Sequence, residues 1–182
     1  IDEFLKYNGR AGGPGLKVEV PDGATARAHM AAVNRQRYEA ETGYDHSHAT
    51  DAELLDAFTY NVFPNFAPWG GFMPNIVYRW RPWPDQDSTL MEVRILAPVK
   101  KGEPIPKAPP LNLIPADKPW THAAELGALG GIFDQDMANL PYVQEGLKAS
   151  KTGEVNLGDY QEIRVRHFHR TLDKYLAGSL PA

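Results

Sequence analysis

Proline is the residue that most limits how this chain can fold. Six of the sixteen prolines lie between residues 100 and 119, a stretch we call the Pro-rich segment. Because proline lacks a backbone N–H and restricts φ, such a stretch forms neither a helix nor a central strand. We predict an irregular excursion over the surface, with regular structure before and after it.

Glycine and proline together make 32 of the 182 residues, 16 of each. This share favours a loop-rich fold containing β-structure over a helix bundle. The chain is 42% hydrophobic and 23% charged, as in soluble globular domains, and its length suits one domain with a sizeable core. We therefore predict a single domain over residues 1–182.

Several classes of function are excluded by what the sequence lacks. It has no cysteine, so thiolate zinc sites, thiol nucleophiles and disulfide scaffolds are ruled out. Dinucleotide, P-loop and serine-esterase motifs are also missing. Before Met91 there are 8 basic and 12 acidic residues, and from Met91 onwards 11 of each, so nucleic acid is not an expected partner. No apolar run is long enough to span a membrane, and we expect a cytoplasmic protein.

Three runs predict β-strands, each rich in aromatic and β-branched residues and bounded by proline, glycine or aspartate: residues 58–66, 75–83 and 90–99. In the second run, Ile76, Tyr78 and Trp80 alternate with polar or mixed positions. Neighbouring antiparallel strands are the simplest arrangement of such runs.

Three segments predict helices: residues 25–42, 51–56 and 159–176. Thr50 and Glu53 form a capping box before the second, and the third is a long amphipathic C-terminal helix. Residues 121–133 are weakly helical. After them Pro141 either stands in the first turn of a new helix or kinks a longer one.

Histidines and carboxylates are the candidate metal ligands. His46 and His48 could chelate from an extended segment, although a solvated loop is the favoured interpretation. On a helix His167 and His169 point about 200° apart, so they cannot share a metal. Asp134 and Asp136 follow an apolar, glycine-rich stretch, where composition alone favours helix capping over metal ligation.

Four stretches in order carry a resemblance to a known family: YNVFPNF at 60–66, residues 79–99, FDQDMANLPYVQEGLKAS at 133–150, and EIRVRHFHRTLDKYL at 162–176. Together they resemble the catalytic domain of the large (alpha) subunit of Rieske non-haem iron ring-hydroxylating oxygenases, enzymes of aromatic hydrocarbon catabolism. The resemblance implies an α+β fold in which an antiparallel sheet wraps on a long C-terminal helix, the helix-grip fold of START/SRPBCC-like proteins.

The resemblance also implies a site. In that family two histidines and one carboxylate hold mononuclear Fe(II) and leave positions open for O₂. The family pattern of an aspartate, seven residues and a glutamine fits Asp136 with Gln144, and it does not fit Asp134. Asp136 is thus the expected metal ligand and catalytic residue, with Asp134 less favoured. The residues expected to line the substrate pocket, unless they are ordinary core, are Phe63, Asn65, Leu126, Leu129 and Phe133.

Two parts of the family pattern have no counterpart in this chain. The paired histidine ligands precede the FPN strand in the family, and the Rieske [2Fe-2S] cluster needs two cysteines and two histidines. We expect the chain to be a fragment cut upstream of Ile1 and inactive alone. The implied partners are an apolar or aromatic substrate, O₂, a reductase or ferredoxin carrying NAD(P)H electrons, and further copies in a homo-oligomer, a trimer.

Two other hypotheses stay open. The missing histidines support a metal-free helix-grip module that binds an apolar small ligand. A structural or interaction subunit would instead have an exposed apolar face on the last helix. Its basic residues argue mildly against this: Arg164, Arg166, Arg170 and Lys174.

Overall fold

The structure is a computed structural model that describes residues 19–72 and 75–179. The chain divides into two compact units, Ile1–Ala108 and Pro109–Ala182, so the division falls inside the Pro-rich segment. That segment contains no helix or strand, as its prolines predict. The single domain over residues 1–182 stays a prediction.

The two helices of unit 1 match their predicted ranges to within one residue at each end. They are α1, Ala26–Thr42, and α2, Asp51–Leu55. The Thr25 hydroxyl accepts a hydrogen bond from the Ala28 N–H, and Gly43 ends α1 with a φ of 72°. Thr50 and Glu53 form the predicted capping box of α2.

Buried residues join α1 to α2. Ala31, Tyr38 and Leu54 form one apolar cluster. Beside it the buried Asn34 donates from Nδ2 to the carbonyl oxygen of Leu54 at 3.2 Å. The short helix α2 is therefore held by apolar packing and by a hydrogen bond, because five residues alone form no stable helix.

Four strands form an antiparallel sheet in the order β1-β2-β3-β4. They are β1, Phe58–Thr59, β2, Phe66–Gly70, β3, Ile76–Pro82, and β4, Thr89–Ile95. The prediction of one strand over residues 58–66 is wrong. A turn at 63–65 interrupts it, because Pro64 has no N–H to donate to a neighbouring strand.

Alternation along β3 and β4 gives the sheet two different faces. One face carries aromatic rings, with centroids 6.3 Å apart for Trp69 and Tyr78 and 5.4 Å apart for Tyr78 and Trp80. The other face carries arginines and one glutamate. The period-two pattern of the sequence predicted this division.

Unit 2 is helical. It contains two short 3-10 turns, Trp120–His122 and Ala124–Leu126, and three helices: α3, Leu129–Met137, α4, Leu140–Ala149, and α5, Ile163–Leu176. The predicted helix over 121–133 is only partly correct, since Gly127 at a φ of 54° ends the second turn before α3 begins. Pro141 lies in the first turn of α4, so α3 and α4 are separate helices.

The C-terminal helix α5 is confirmed, although it begins at Ile163 instead of residue 159. Arg166, in the first turn of α5, donates from its guanidinium to the carbonyl oxygens of Leu157, Gly158 and Asp159. These bonds hold the residues before the helix in turns. Four apolar residues of α5 are exposed: Ile163, Val165, Tyr175 and Leu176.

The fold is mixed α+β, with a four-stranded antiparallel sheet and a C-terminal helix, as the sequence predicted. Within the described residues, no helix combines the length and the apolar character needed to cross a membrane.

Candidate functional site

Asp136 lies in the last turn of α3 with its side chain exposed. Among the described residues its carboxylate has no hydrogen-bond or ion-pair partner. The C-terminal end of a helix has a negative potential, which adds to the charge of the carboxylate.

Asp134 is half-buried and already bonded. Its Oδ1 accepts from the Trp120 N–H at 2.5 Å, and its Oδ2 accepts from the Thr121 N–H at 3.4 Å. The first N–H groups of a helical turn have no partner within that turn. Asp134 thus binds the start of the turn Trp120–His122 from a distant part of the chain. Neither aspartate is the N-cap of a helix, because both lie inside α3 and α4 begins after Asn139.

The two aspartates face different surroundings because of where they lie on α3. Residues three and four apart share a helix face, so Gly130, Phe133 and Asp134 lie together against the Trp120–His122 turn. The rings of Phe133 and Trp120 have centroids 5.2 Å apart. A residue two positions from Asp134 is rotated by about 200°, which places Asp136 on the other side of α3.

Gln144, the partner of Asp136 in the sequence pattern, is exposed on α4. Between α3 and α4 the Asn139 N–H donates to the carbonyl oxygen of Asp136 at 3.3 Å. Only Ala138 and Asn139 connect the two helices.

Among the residues that the structure describes, the histidines do not assemble a metal site. The Nε2 of His46 lies 3.1 Å from the Thr42 hydroxyl and its ring packs edge-on to Phe72, with centroids 4.9 Å apart. His48, His167 and His169 are exposed. No three histidine, aspartate or glutamate side chains converge anywhere in residues 19–72 and 75–179. The described residues thus contain no complete metal-binding triad.

The residues predicted to line a substrate pocket are divided between the units. Leu126 and Phe133 are 8% and 5% exposed, and Leu129 is half-buried beside them in unit 2. Phe63 and Asn65 are half-buried in the turn before β2 of unit 1. Their role as pocket lining stays a prediction.

A charged cluster on the sheet was missed in the sequence. Glu92 forms ion pairs with Arg79 at 2.7 Å and Arg81 at 2.9 Å, and Arg94 is 3.9 Å away. The hydrogen bonds from Arg79 lower the pKa of the Glu92 carboxyl, and Arg81 adds to the effect. The sequence pattern could have revealed this cluster, because its charged residues alternate with apolar ones along two paired strands.

A scan against protein-family models matches residues 6–178 to the family described as ring hydroxylating alpha subunit, catalytic domain. A search of curated proteins and a search of solved structures gave no match. The family match covers nearly the whole chain and includes both α3 and the sheet.

Proposed function

This chain belongs to the family of ring-hydroxylating alpha subunits and matches their catalytic domain, and from this membership we propose that it helps to form an iron oxygenase site. The substrate class we propose is an apolar or aromatic small molecule that is hydroxylated with O₂ at mononuclear non-haem Fe(II). The family supports an oxygenase in general terms, and the residues of α3 support the more specific proposal.

The observation that carries the proposal is the contrast between the two aspartates of α3. The carboxylate of Asp136 is exposed and without a protein partner among the described residues, at the negative end of the helix. Asp134 already accepts two backbone N–H groups. Asp136 is therefore the carboxylate that we propose as the iron ligand.

The donor set of this chain fits Fe(II) only in part. A triad of two imidazoles and one carboxylate holds non-haem Fe(II), and the described residues supply only the carboxylate. We propose that two histidines from a segment preceding Ile1 complete the triad. When bound, the iron supplies the activation of O₂. Asp136 adds a negative charge to two neutral imidazoles and so helps to retain the cation.

The remaining partners follow from the same proposal. The chain has no cysteine, so the ligands of a Rieske [2Fe-2S] cluster lie outside it. We propose that NAD(P)H electrons reach the site through a reductase or ferredoxin and that cluster. We further propose that the intact protein is cytoplasmic and forms a homo-oligomer, a trimer.

A second candidate is a metal-free module that binds an apolar ligand. One observation favours it, namely that no three ligand side chains converge among the described residues. The half-buried rings of Trp69, Tyr78 and Trp80 on one sheet face would suit such a ligand.

Iron content and turnover of the full-length protein test the proposal. Asp136→Asn keeps the size of the side chain and removes its charge, so we expect loss of bound iron and of turnover with an unchanged circular dichroism spectrum. Glu145→Gln removes another exposed carboxylate on the neighbouring helix α4 and should retain both.

Full iron occupancy in the Asp136→Asn protein would overturn the assignment. The second candidate is tested with naphthalene as the probe, by its fluorescence with iron-free protein. Tight binding of naphthalene together with no iron in the wild-type protein would establish the metal-free module instead.

A further inference from the structure

We propose that residues 111–114, which we call the LNLI segment, bind the free edge of β4 in a second copy of this chain and so add a fifth strand to its sheet. This contact is the interface of the homo-oligomer. The inference rests on the homo-oligomer of the proposed function, and it does not depend on iron.

The LNLI segment is extended and its backbone is unpaired. Residues 104–115 run without a helix, a turn or a bend. Among the described residues, no N–H or C=O group of the LNLI segment bonds to another backbone group. The segment itself contains no proline, although Pro110 and Pro115 flank it. An extended stretch with unpaired backbone groups is the form in which a chain adds to the edge of a sheet.

The two sides of the LNLI segment have different surroundings. Nδ2 of Asn112 donates to Oε1 of Glu125 at 2.8 Å, and Ile114 is half-buried. Leu111 and Leu113 alternate with these residues and are 90% and 60% exposed. In an extended chain, successive side chains point to opposite sides. One side therefore holds the segment to unit 2, and the other side presents two leucines that gain free energy on burial.

The edge of the sheet that receives the segment is β4. Within the described residues β4 pairs only with β3, so its other side is free. The Leu96 N–H donates towards β3, to the carbonyl oxygen of Asn75 at 2.7 Å. Because the backbone groups of successive strand residues point to opposite sides, those of Ile95 and Val93 point to the free side. The side chain of Ile95 is also 47% exposed, so this edge has both backbone groups and an apolar side chain to cover.

The alternation of side chains selects one register. In an antiparallel pair that sets Leu111 opposite Ile95, Leu113 lies opposite the apolar residue two positions earlier in β4. Residues directly opposite each other share a sheet face, so both leucines join the face of the aromatic rings. A shift by one residue would place them beside the charged side chains of the other face. Leu111 and Leu113 also have the N–H groups that this pairing needs.

The charges agree with this register. Asn112 then lies opposite Arg94, and Glu125, which Asn112 binds, comes to the same face. The Arg94 side chain is 70% exposed, and Glu92 of its own chain is 3.9 Å away and bonded more closely to two other arginines. Arg94 can therefore pair with Glu125 of the second copy. Because the two surfaces differ, the contact runs head to tail, which is the type of interface that closes a ring such as a trimer.

Sedimentation velocity of the full-length protein at a series of concentrations tests the interface. We expect Leu111→Ser combined with Leu113→Ser to raise the dissociation constant of the oligomer roughly 100-fold. The circular dichroism spectrum should not change, because both side chains are exposed in the single copy. The matched control is Ile105→Ser, which alters an 85% exposed side chain of the Pro-rich segment outside the LNLI segment. It should leave the dissociation constant unchanged.

Arg94→Glu tests the register. It sets a negative charge beside Glu125 of the second copy and should raise the dissociation constant roughly tenfold at low salt, with a smaller effect at high salt. Lys151→Glu makes the same change of charge at an exposed residue after α4 and is the control. Equal dissociation constants for Arg94→Glu and Lys151→Glu would overturn the pairing with β4.

Hydrogen exchange at the Leu113 amide separates the remaining arrangements. We expect slow exchange in the oligomer and fast exchange in the dissociated protein at low concentration. Slow exchange in the dissociated protein would show that the segment pairs within its own chain, which contradicts the inference.

Two failures are distinguishable by their variants. An oligomer that withstands both leucine substitutions would overturn this interface and leave the homo-oligomer standing. A wild-type protein that stays monomeric at every concentration would instead overturn the proposed homo-oligomer, and this inference with it.

Discussion

Gly130 lies directly against Thr121: a Cβ built on Gly130 would be 3.1 Å from the Thr121 Cα and 3.3 Å from the Thr121 nitrogen. Both neighbouring atoms belong to the backbone, which cannot move aside as the end of a flexible side chain can. This contact seats α3 on the Trp120–His122 turn and brings Asp134 within reach of two N–H groups. A side chain at position 130 would therefore force the backbone of the turn to shift by a few tenths of an ångström.

The first prediction concerns this contact. Gly130→Ala gains up to about 1 kcal/mol of helix propensity, but overpacking against backbone costs about 1–3 kcal/mol, so we expect a net loss of stability. Gly131→Ala, with no atom within 4 Å of the added Cβ, should be stabilised by up to about 1 kcal/mol. Urea unfolding of both variants measures the difference, and equal stabilities would contradict the close approach.

The second prediction concerns the core of unit 1. Leu54 is fully buried beside Ala31 and Tyr38, and Leu54→Ala leaves a cavity there. We expect a loss of about 2–5 kcal/mol in the free energy of unfolding. Leu55→Ala changes the neighbouring, half-buried leucine and should cost less. A smaller loss for Leu54→Ala than for Leu55→Ala would be inconsistent with the described core.

The third prediction is a pH dependence. The pKa of Glu92 is lower in the folded protein than in the unfolded chain because Arg79 and Arg81 bond its charged form. This difference stabilises the fold at pH values above the pKa of Glu92 in the unfolded chain. The stabilisation is lost as the pH falls through the pKa of Glu92 in the folded protein. Between about pH 5 and pH 3, the stability of the wild-type protein should therefore fall more steeply than that of Glu92→Gln.

Glu103→Gln, on the exposed Pro-rich segment, is the control for removing one negative charge. It should follow the wild-type curve in urea unfolding at each pH. If Glu92→Gln and Glu103→Gln gave the same pH profile, the ion pairs of Glu92 would contribute nothing to the acid dependence.

The fourth prediction concerns the chain by itself. Because no three potential ligand side chains converge among the described residues, residues 1–182 expressed alone should bind Fe(II) weakly and show no oxygenase activity. Equilibrium dialysis followed by iron analysis measures the binding. Stoichiometric, tightly held iron would refute the proposed incomplete triad.

The sequence by itself predicted the elements that depend on neighbouring residues. The helix predicted over residues 25–42 corresponds to α1, the capping box at Thr50 starts α2, and the alternation along β3 separates two sheet faces. Each of these signals acts within about four residues, so it can be recognised without knowledge of the fold. The family resemblance likewise rested on short motifs in order, and the family match bears it out.

Only the tertiary structure decided the different surroundings of the two aspartates of α3. Asp134 is bonded because Trp120 and Thr121, more than ten residues away, lie beside it, and Glu92 meets Arg79 because of the register between β3 and β4. The turn at 63–65 and the 3-10 turns before α3 also differ from the predictions. Composition and periodicity cannot specify these features, since they depend on which distant backbone groups packing brings together.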